Sequence, residues 1–210
     1  IEADGDYACL HANGKTWLVR ERLHNLALQL DPRQFQRVHR SSIVRLDLIA
    51  ELRSLTNRDG TVQAAGDAAL RLDVARTLDN TGGTVLAAGE TTVNAGELLN
   101  QRGKVQTSSD AGLTVSVAGA LDNRDDGLIA SAAKADLSAG SLDNRGAAVN
   151  AAGPLMIAVQ LALDNRGGKL VSAADLGVTA AALDNSDAGL LVSTNGKLSV
   201  DTSDRTENAG

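Results

Sequence analysis

The sequence predicts a mainly β protein whose larger part is a right-handed parallel β-helix, a solenoid in which each coil buries its apolar face only against its neighbours. Three observations carry this reading. A Leu-x-Asn turn recurs from residue 55 onward and places Asn57, Asn80, Asn100, Asn123, Asn144, Asn165, Asn185 and a decayed Asn208 at intervals of 23, 20, 23, 21, 21, 20 and 23 residues. Between the turns, apolar residues alternate with small ones, as in Leu113, Val115, Val117 and in Leu176, Val178, Ala180, the period of a half-buried strand. Composition also breaks near residue 54. Tyr7, Trp17, Phe35, Cys9, His11, His24 and His39 all precede the break, and no residue of these types follows it. Residues 1–54 carry eight Lys and Arg against seven Asp and Glu, or +1, and the remainder twelve against nineteen, or −7, which together give the net −6. The expected division is a small, incomplete α+β or all-β segment over 1–54 and the repeats over 55–210.

In the first segment, Tyr7–His11 and Lys15–Arg20 are β-favouring runs joined through Ala12-Asn13-Gly14. Asn-Gly tolerates the positive φ angles of a tight hairpin. Leu23, Leu26, Ala27 and Leu30 fall at i, i+3, i+4 and i+7, the stripe of a short amphipathic helix. Asp31-Pro32 ends it, because proline disfavours helical geometry in the residue before it. The stretch Phe35 to Arg45 sets apolar anchors among arginines and predicts a basic edge on a small core. Cys9, among apolar neighbours, is expected to be a small buried hydrophobe. His11 and His24 lack metal-ligand spacing, and His39 has no paired nucleophile, so no catalytic or metal role is assigned.

Each repeat reads as a Leu-x-Asn turn, one or two glycines, a short strand, a small-residue corner and a second strand. The clearest coil runs from Gly168 to Ala181. A lumen filled by Leu, Val, Ile and Ala has no room for aromatics, which fits their absence. The asparagines tolerate the left-handed region, and an amide bonds both ways along a stack, so Asn57 to Asn185 are expected to form a turn ladder rising by about 4.8 Å per coil.

Glu2-Ala3-Asp4-Gly5-Asp6-Tyr7, Leu18-Val19-Arg20-Glu21, Leu30-Asp31-Pro32 and Phe35-x-Arg37-Val38-His39-Arg40-Ser41-x-Ile43-Val44 resemble the LytTR domain, the DNA-binding output module of bacterial response regulators, without gaps through Leu52. The resemblance implies an all-β binder whose loops enter successive major grooves. Arg40 holds the base-reading position, with Ser41 beside it; arginine on guanine N7 and O6 is the commonest specific major-groove contact. Arg37, Arg45 and Lys15 are the phosphate-contact candidates. The family usually has asparagine where this chain has Arg45, a departure that bears on a local hydrogen bond of the family and offers a phosphate contact in its place. Only the middle half of such a domain is expected here, with strands missing at both ends, so DNA is expected as a weak partner of 1–54.

Leu163-Asp164-Asn165-Arg166-Gly167-Gly168 and its copies, followed by Ala-Ala-Gly and a Leu-x-Val strand, resemble the haemagglutinin repeats of filamentous haemagglutinins and contact-dependent inhibition toxins, exoproteins of two-partner secretion. This resemblance implies an extracellular shaft of an adhesin-like protein whose parent meets a cell-surface or matrix receptor. The two resemblances point to opposite compartments, the cytoplasm for 1–54 and the cell exterior for the repeats.

One cysteine makes no intramolecular disulfide, no run approaches the ~18 apolar residues of a membrane span, and no charged-then-apolar leader opens the chain, which is expected to be a fragment. Enzymes built on β-helices carry long inserted loops that form a cleft. These repeats keep within three residues of one length, so no enzyme, cofactor, metal or small-molecule substrate is expected. The leading reading is a non-enzymatic shaft joined to a LytTR-like segment. The competing one is a LytTR-type transcriptional regulator with the repeats as a fused passenger.

Overall fold

The structure, a computed structural model, describes residues 1–4, 7–12, 15–32, 34–39, 42–45, 53–64 and 66–210. The chain divides into two compact units, 1–50 and 51–210.

In the first unit, β1 (Glu2–Asp4), β2 (Tyr7–Ala12), β3 (Lys15–Val19), α1 (Leu23–Gln29), β4 (Phe35–His39) and β5 (Ser42–Arg45) form an antiparallel sheet of order β3-β2-β1-β5-β4 with one helix. β2 and β3 pair down to Ala12 opposite Lys15, and the Asn13-Gly14 turn between them lies outside the described residues. The helix stripe packs as its spacing requires: Leu23 is buried with Ala8 and Ile43, while Ile1, Leu10, Leu26, Ala27, Leu30 and Phe35 close around them. Strand alternation sends Ala8 and Leu10 toward this core and Cys9 to the opposite face. Cys9 is therefore half-buried rather than buried, a correction to the sequence reading, which weighed its apolar neighbours but not the face on which they lie. Tyr7, Trp17 and Leu18 are exposed.

The second unit is a parallel β-solenoid of about seven turns. Its strands are β6 (Leu55–Thr56), β7 (Thr61–Gln63), β8 (Leu70–Asp79), β9 (Thr84–Ala87), β10 (Thr91–Leu99), β11 (Lys104–Thr107), β12 (Leu113–Asp122), β13 (Leu128–Ser131), β14 (Ala135–Asp143), β15 (Ala148–Ala151), β16 (Leu155–Val159), β17 (Ala162–Asp164), β18 (Lys169–Ser172), β19 (Leu176–Asp184), β20 (Leu190–Ser193) and β21 (Leu198–Glu207). The short strands stack as β7-β9-β11-β13-β15-β18-β20, and the long ones form a second sheet from β6 and β8 to β21, with β16 and β17 sharing one level. All these pairings are parallel and join equivalent residues: Val93 lies beside Leu72 and Val115, and Leu170 beside Val149 and Leu191.

Register shifts bend the long strands at small residues, between Ala95 and Leu98, Val117 and Ala120, and Ala180 and Ala182. Each long strand thus turns a corner and runs on into the Leu and Asp of the next motif, so the turn itself begins at the asparagine. The motif leucines Leu78, Leu98, Leu121, Leu142, Leu163 and Leu183 are buried in one column, and Val85, Val105, Ile129, Val149 and Leu170 in another. Each such side chain contributes roughly 1.5–3 kcal/mol of transfer free energy when fully buried, and only a neighbouring coil supplies the covering surface. At Gly168 the coils approach so closely that a Cβ would run into the Asn144 carbonyl oxygen. Gly82, Gly146 and Gly167 take positive φ in the turn, where glycine carries no steric penalty.

Candidate functional site

The solenoid's main polar feature is built where the chain leaves each long strand. The asparagine side chain there is buried at Asn57, Asn80, Asn100, Asn123, Asn144, Asn165 and Asn185, and a buried amide needs partners for both its donor and its acceptor. Each Nδ2 donates to Oδ1 of the next coil's asparagine: Asn57 to Asn80, Asn80 to Asn100 and Asn100 to Asn123 at 2.7 Å each, Asn123 to Asn144 at 2.8 Å, Asn144 to Asn165 at 2.7 Å, and Asn165 to Asn185 and Asn185 to Asn208 at 2.6 Å. The same nitrogens also reach backbone carbonyls, as Asn80 does to Gly83 at 3.3 Å and to Lys104 at 3.1 Å. All the bonds point one way. The Asn57 Oδ1, which begins the row, is buried without a donor.

Outside this row lies a second one, of charge. Where an Asp precedes the asparagine, its carboxylate accepts the N–H of the residue after the asparagine: Asp79 from Thr81 at 3.2 Å, Asp122 from Arg124 at 3.3 Å, Asp143 from Arg145 at 3.3 Å, Asp164 from Arg166 at 3.2 Å and Asp184 from Ser186 at 3.0 Å. These are Asx turns, which fix the backbone where it reverses. The arginines then bridge coils. Arg145 pairs with Asp143 at 2.7 Å and with Asp164 at 3.5 Å, and Arg166 with Asp164 at 2.7 Å and with Asp184 at 3.5 Å.

The carboxylates respond to their neighbours. Burial pushes Asp143 up, but the Arg145 bonds outweigh it and the net shift is downward. Asp184 is lowered by the Ser186 hydroxyl and N–H. Asp122 is raised, first by burial and also by Asp143 above it. The residue below that faces Asp122 is Gln101, which donates at 2.6 Å but carries no charge, and the Arg124 Nε is buried without an acceptor. This is the weak step in the charged row.

Asn208, counted in the sequence as a decayed copy but not among the expected ladder residues, accepts from Asn185 and extends the ladder by one step. One feature escapes the sequence reading. At the opposite corner a row of hydroxyls ties the backbone: Thr107 Oγ1 donates to Ala111 O at 3.1 Å, Ser131 Oγ to Lys134 O at 2.7 Å, Ser172 Oγ to Asp175 O at 2.9 Å and Ser193 Oγ to Ala174 O at 2.7 Å. Its sequence signal is faint, because Ala87 and Ala151 occupy the same register.

The nucleic-acid candidates lie in the first unit. Lys15 begins β3 and is exposed, Arg37 is in β4 opposite Ile43, and Arg45 is in β5 opposite Phe35. Arg40 and Ser41 lie outside the described residues. The hairpin brings Arg37 and Arg45 onto adjacent strands, whereas β3 and β4 are opposite edges of the sheet. Lys15 and Arg37 therefore stand four strand spacings apart, about 19 Å. Among the described residues, no group of three or more His, Cys, Asp or Glu could hold a metal ion, and no helix is long and apolar enough to cross a membrane.

In-register coils of about 21 residues, strung on a one-directional asparagine ladder, define a β-solenoid repeat protein. The family model described as haemagglutinin repeat matches residues 44–125, 111–167 and 151–210, and the chain belongs to that family. The model of the LytTr DNA-binding domain matches residues 1–73, which takes in the antiparallel sheet and runs on through β6 and β7 into β8. No curated protein and no solved structure matches the chain. The two matched families are typically non-catalytic.

Proposed function

We propose that the chain is the non-enzymatic shaft segment of a secreted, adhesin-like exoprotein, residues 55–210, joined to a LytTR-like DNA-binding segment, residues 1–54. The observation that carries the shaft reading is the unbroken run of seven Asn-to-Asn bonds from Asn57 to Asn208. A coil that varies only at its turns, with no inserted loop to wall a cleft, extends reach rather than shaping a substrate site. On this reading the receptor of the parent protein, on a cell surface or in matrix, is met outside these repeats.

The test is removal of one whole coil. Deleting residues 145–165 joins Asn144 to the residue that follows Asn165 and preserves every register. A shaft should refold and shorten by one strand spacing, about 4.8 Å, by small-angle scattering. Loss of folding would reject a modular shaft, since the remaining coils should close over the gap.

The DNA-binding reading for 1–54 rests on the LytTr match and on Arg37 and Arg45 sharing one hairpin. It assigns base reading to Arg40 with Ser41 beside it, and phosphate contacts to Arg37, Arg45 and Lys15. A gel shift with Arg40→Ala tests it, and tight, competitor-resistant binding by the intact chain would favour transcriptional regulation over the shaft.

A further inference from the structure

The ladder asparagines are chemically guarded. Their Nδ2 atoms are bonded, and the next residue is Arg, Thr, Gln or Ser, whose N–H in several coils is held by an Asp, as at Thr81, Arg145, Arg166 and Ser186. Asn195 is placed differently. It is exposed in the bend between β20 and β21 and is followed by Gly196. The bend is pinned on both sides, by Thr194 N–H to Ser172 O at 2.9 Å and by Lys197 N–H to Asp175 Oδ1 at 2.7 Å. Between these pins, among the described residues, neither Asn195 Nδ2 nor Gly196 N–H meets an acceptor. Ser193 Oγ donates to Ala174 O one coil below, as Ser172 Oγ does to Gly153 O, and the lower corner is tied in addition by Ala174 N–H to Ser172 Oγ at 3.1 Å.

We propose that Asn195-Gly196 is a site of spontaneous deamidation in the folded chain. The Gly196 nitrogen, deprotonated by solvent base, attacks the Asn195 Cγ. The C–Nδ2 bond breaks, ammonia leaves, and a five-membered succinimide forms. Water then adds to either ring carbonyl and opens it to aspartate or isoaspartate. Glycine permits the approach because it has no side chain to block the nitrogen. The product sets a new carboxylate beside Asp175, and isoaspartate also lengthens the backbone by a methylene inside a bend that Asp175 and Lys197 hold closed. The last coil is thereby loosened from the one below it, with the charge change irreversible.

The experiment incubates the intact chain at mildly alkaline pH and maps its peptides by mass spectrometry, beside a free peptide of residues 190–200. The proposal predicts that Asn195 converts in the folded chain within a factor of a few of its rate in the peptide, while Asn80, Asn144 and Asn165 stay unchanged. Asn195→Gln, which needs a less favourable six-membered ring, should abolish the conversion and leave the fresh protein's denaturation midpoint where it was. A folded-state rate an order of magnitude below that of the peptide would overturn the proposal, as would conversion of ladder asparagines ahead of Asn195.

Discussion

Asn144 Nδ2 donates to Asn165 Oδ1 at 2.7 Å while Asn144 Oδ1 accepts from Asn123 at 2.8 Å, so one fully buried amide is spent in both directions along the solenoid axis. Asn144→Ala removes a donor from one neighbour and an acceptor from the other. Leaving such groups buried and unpaired costs about 1–3 kcal/mol each, so the variant should lose at least roughly 1 kcal/mol. Urea denaturation measures it, and an unchanged midpoint would show that the ladder bonds are replaced by water at no cost.

The period was legible in the sequence because the ladder admits no other residue at the same strand exit: Leu163 and Asn165 recur two apart in coil after coil, and parallel in-register pairing turns that recurrence into a column. The short N-terminal helix was legible for the same reason, since Leu23, Leu26 and Ala27 share a face. What a linear pattern does not carry is the partner across coils. That Arg145 spans Asp143 and Asp164, or that Ser172 ties a corner where Ala151 stands one coil below, depends on which rows the coiling stacks. Of the nucleic-acid candidates, only the hairpin that carries Arg37 and Arg45 gains a spatial relation, and Lys15 is placed on the far edge.

The charged row predicts opposite pH responses at neighbouring coils. Asp143 and Asp184 have lowered pKa values in the fold, so their contribution is present above the unfolded carboxylate pKa of about 3.9 and is lost as pH falls through the folded value. Asp122 is raised: its penalty is absent below about pH 3.9 and grows as pH rises through its folded value. Gln101→Arg would set a cation beneath Asp122 as Arg58 already stands to Asp79 at 2.6 Å. The variant should gain up to about 1 kcal/mol near neutral pH, less at high salt, and nothing near about pH 3. Equal gains at both pH values would assign the effect to packing.

For DNA, the segment of 1–54 has a net charge of only +1 and the repeats carry −7. Phosphate neutralisation dominates nonspecific affinity, and the acidic repeats repel the duplex at low ionic strength. The intact chain should bind no DNA more tightly than about micromolar at physiological salt. Arg40 contributes roughly 1–3 kcal/mol of base discrimination only where it is held against a base edge. A gel shift with unlabelled competitor decides the matter, and nanomolar, competitor-resistant binding would contradict the prediction.

The central claim is that the coils of residues 51–210 stabilise one another without help from the first unit. Far-ultraviolet circular dichroism of that segment alone tests it most directly. A strand spectrum with almost no helix, lost cooperatively on heating, is the predicted result. A disordered spectrum for the isolated segment would contradict it.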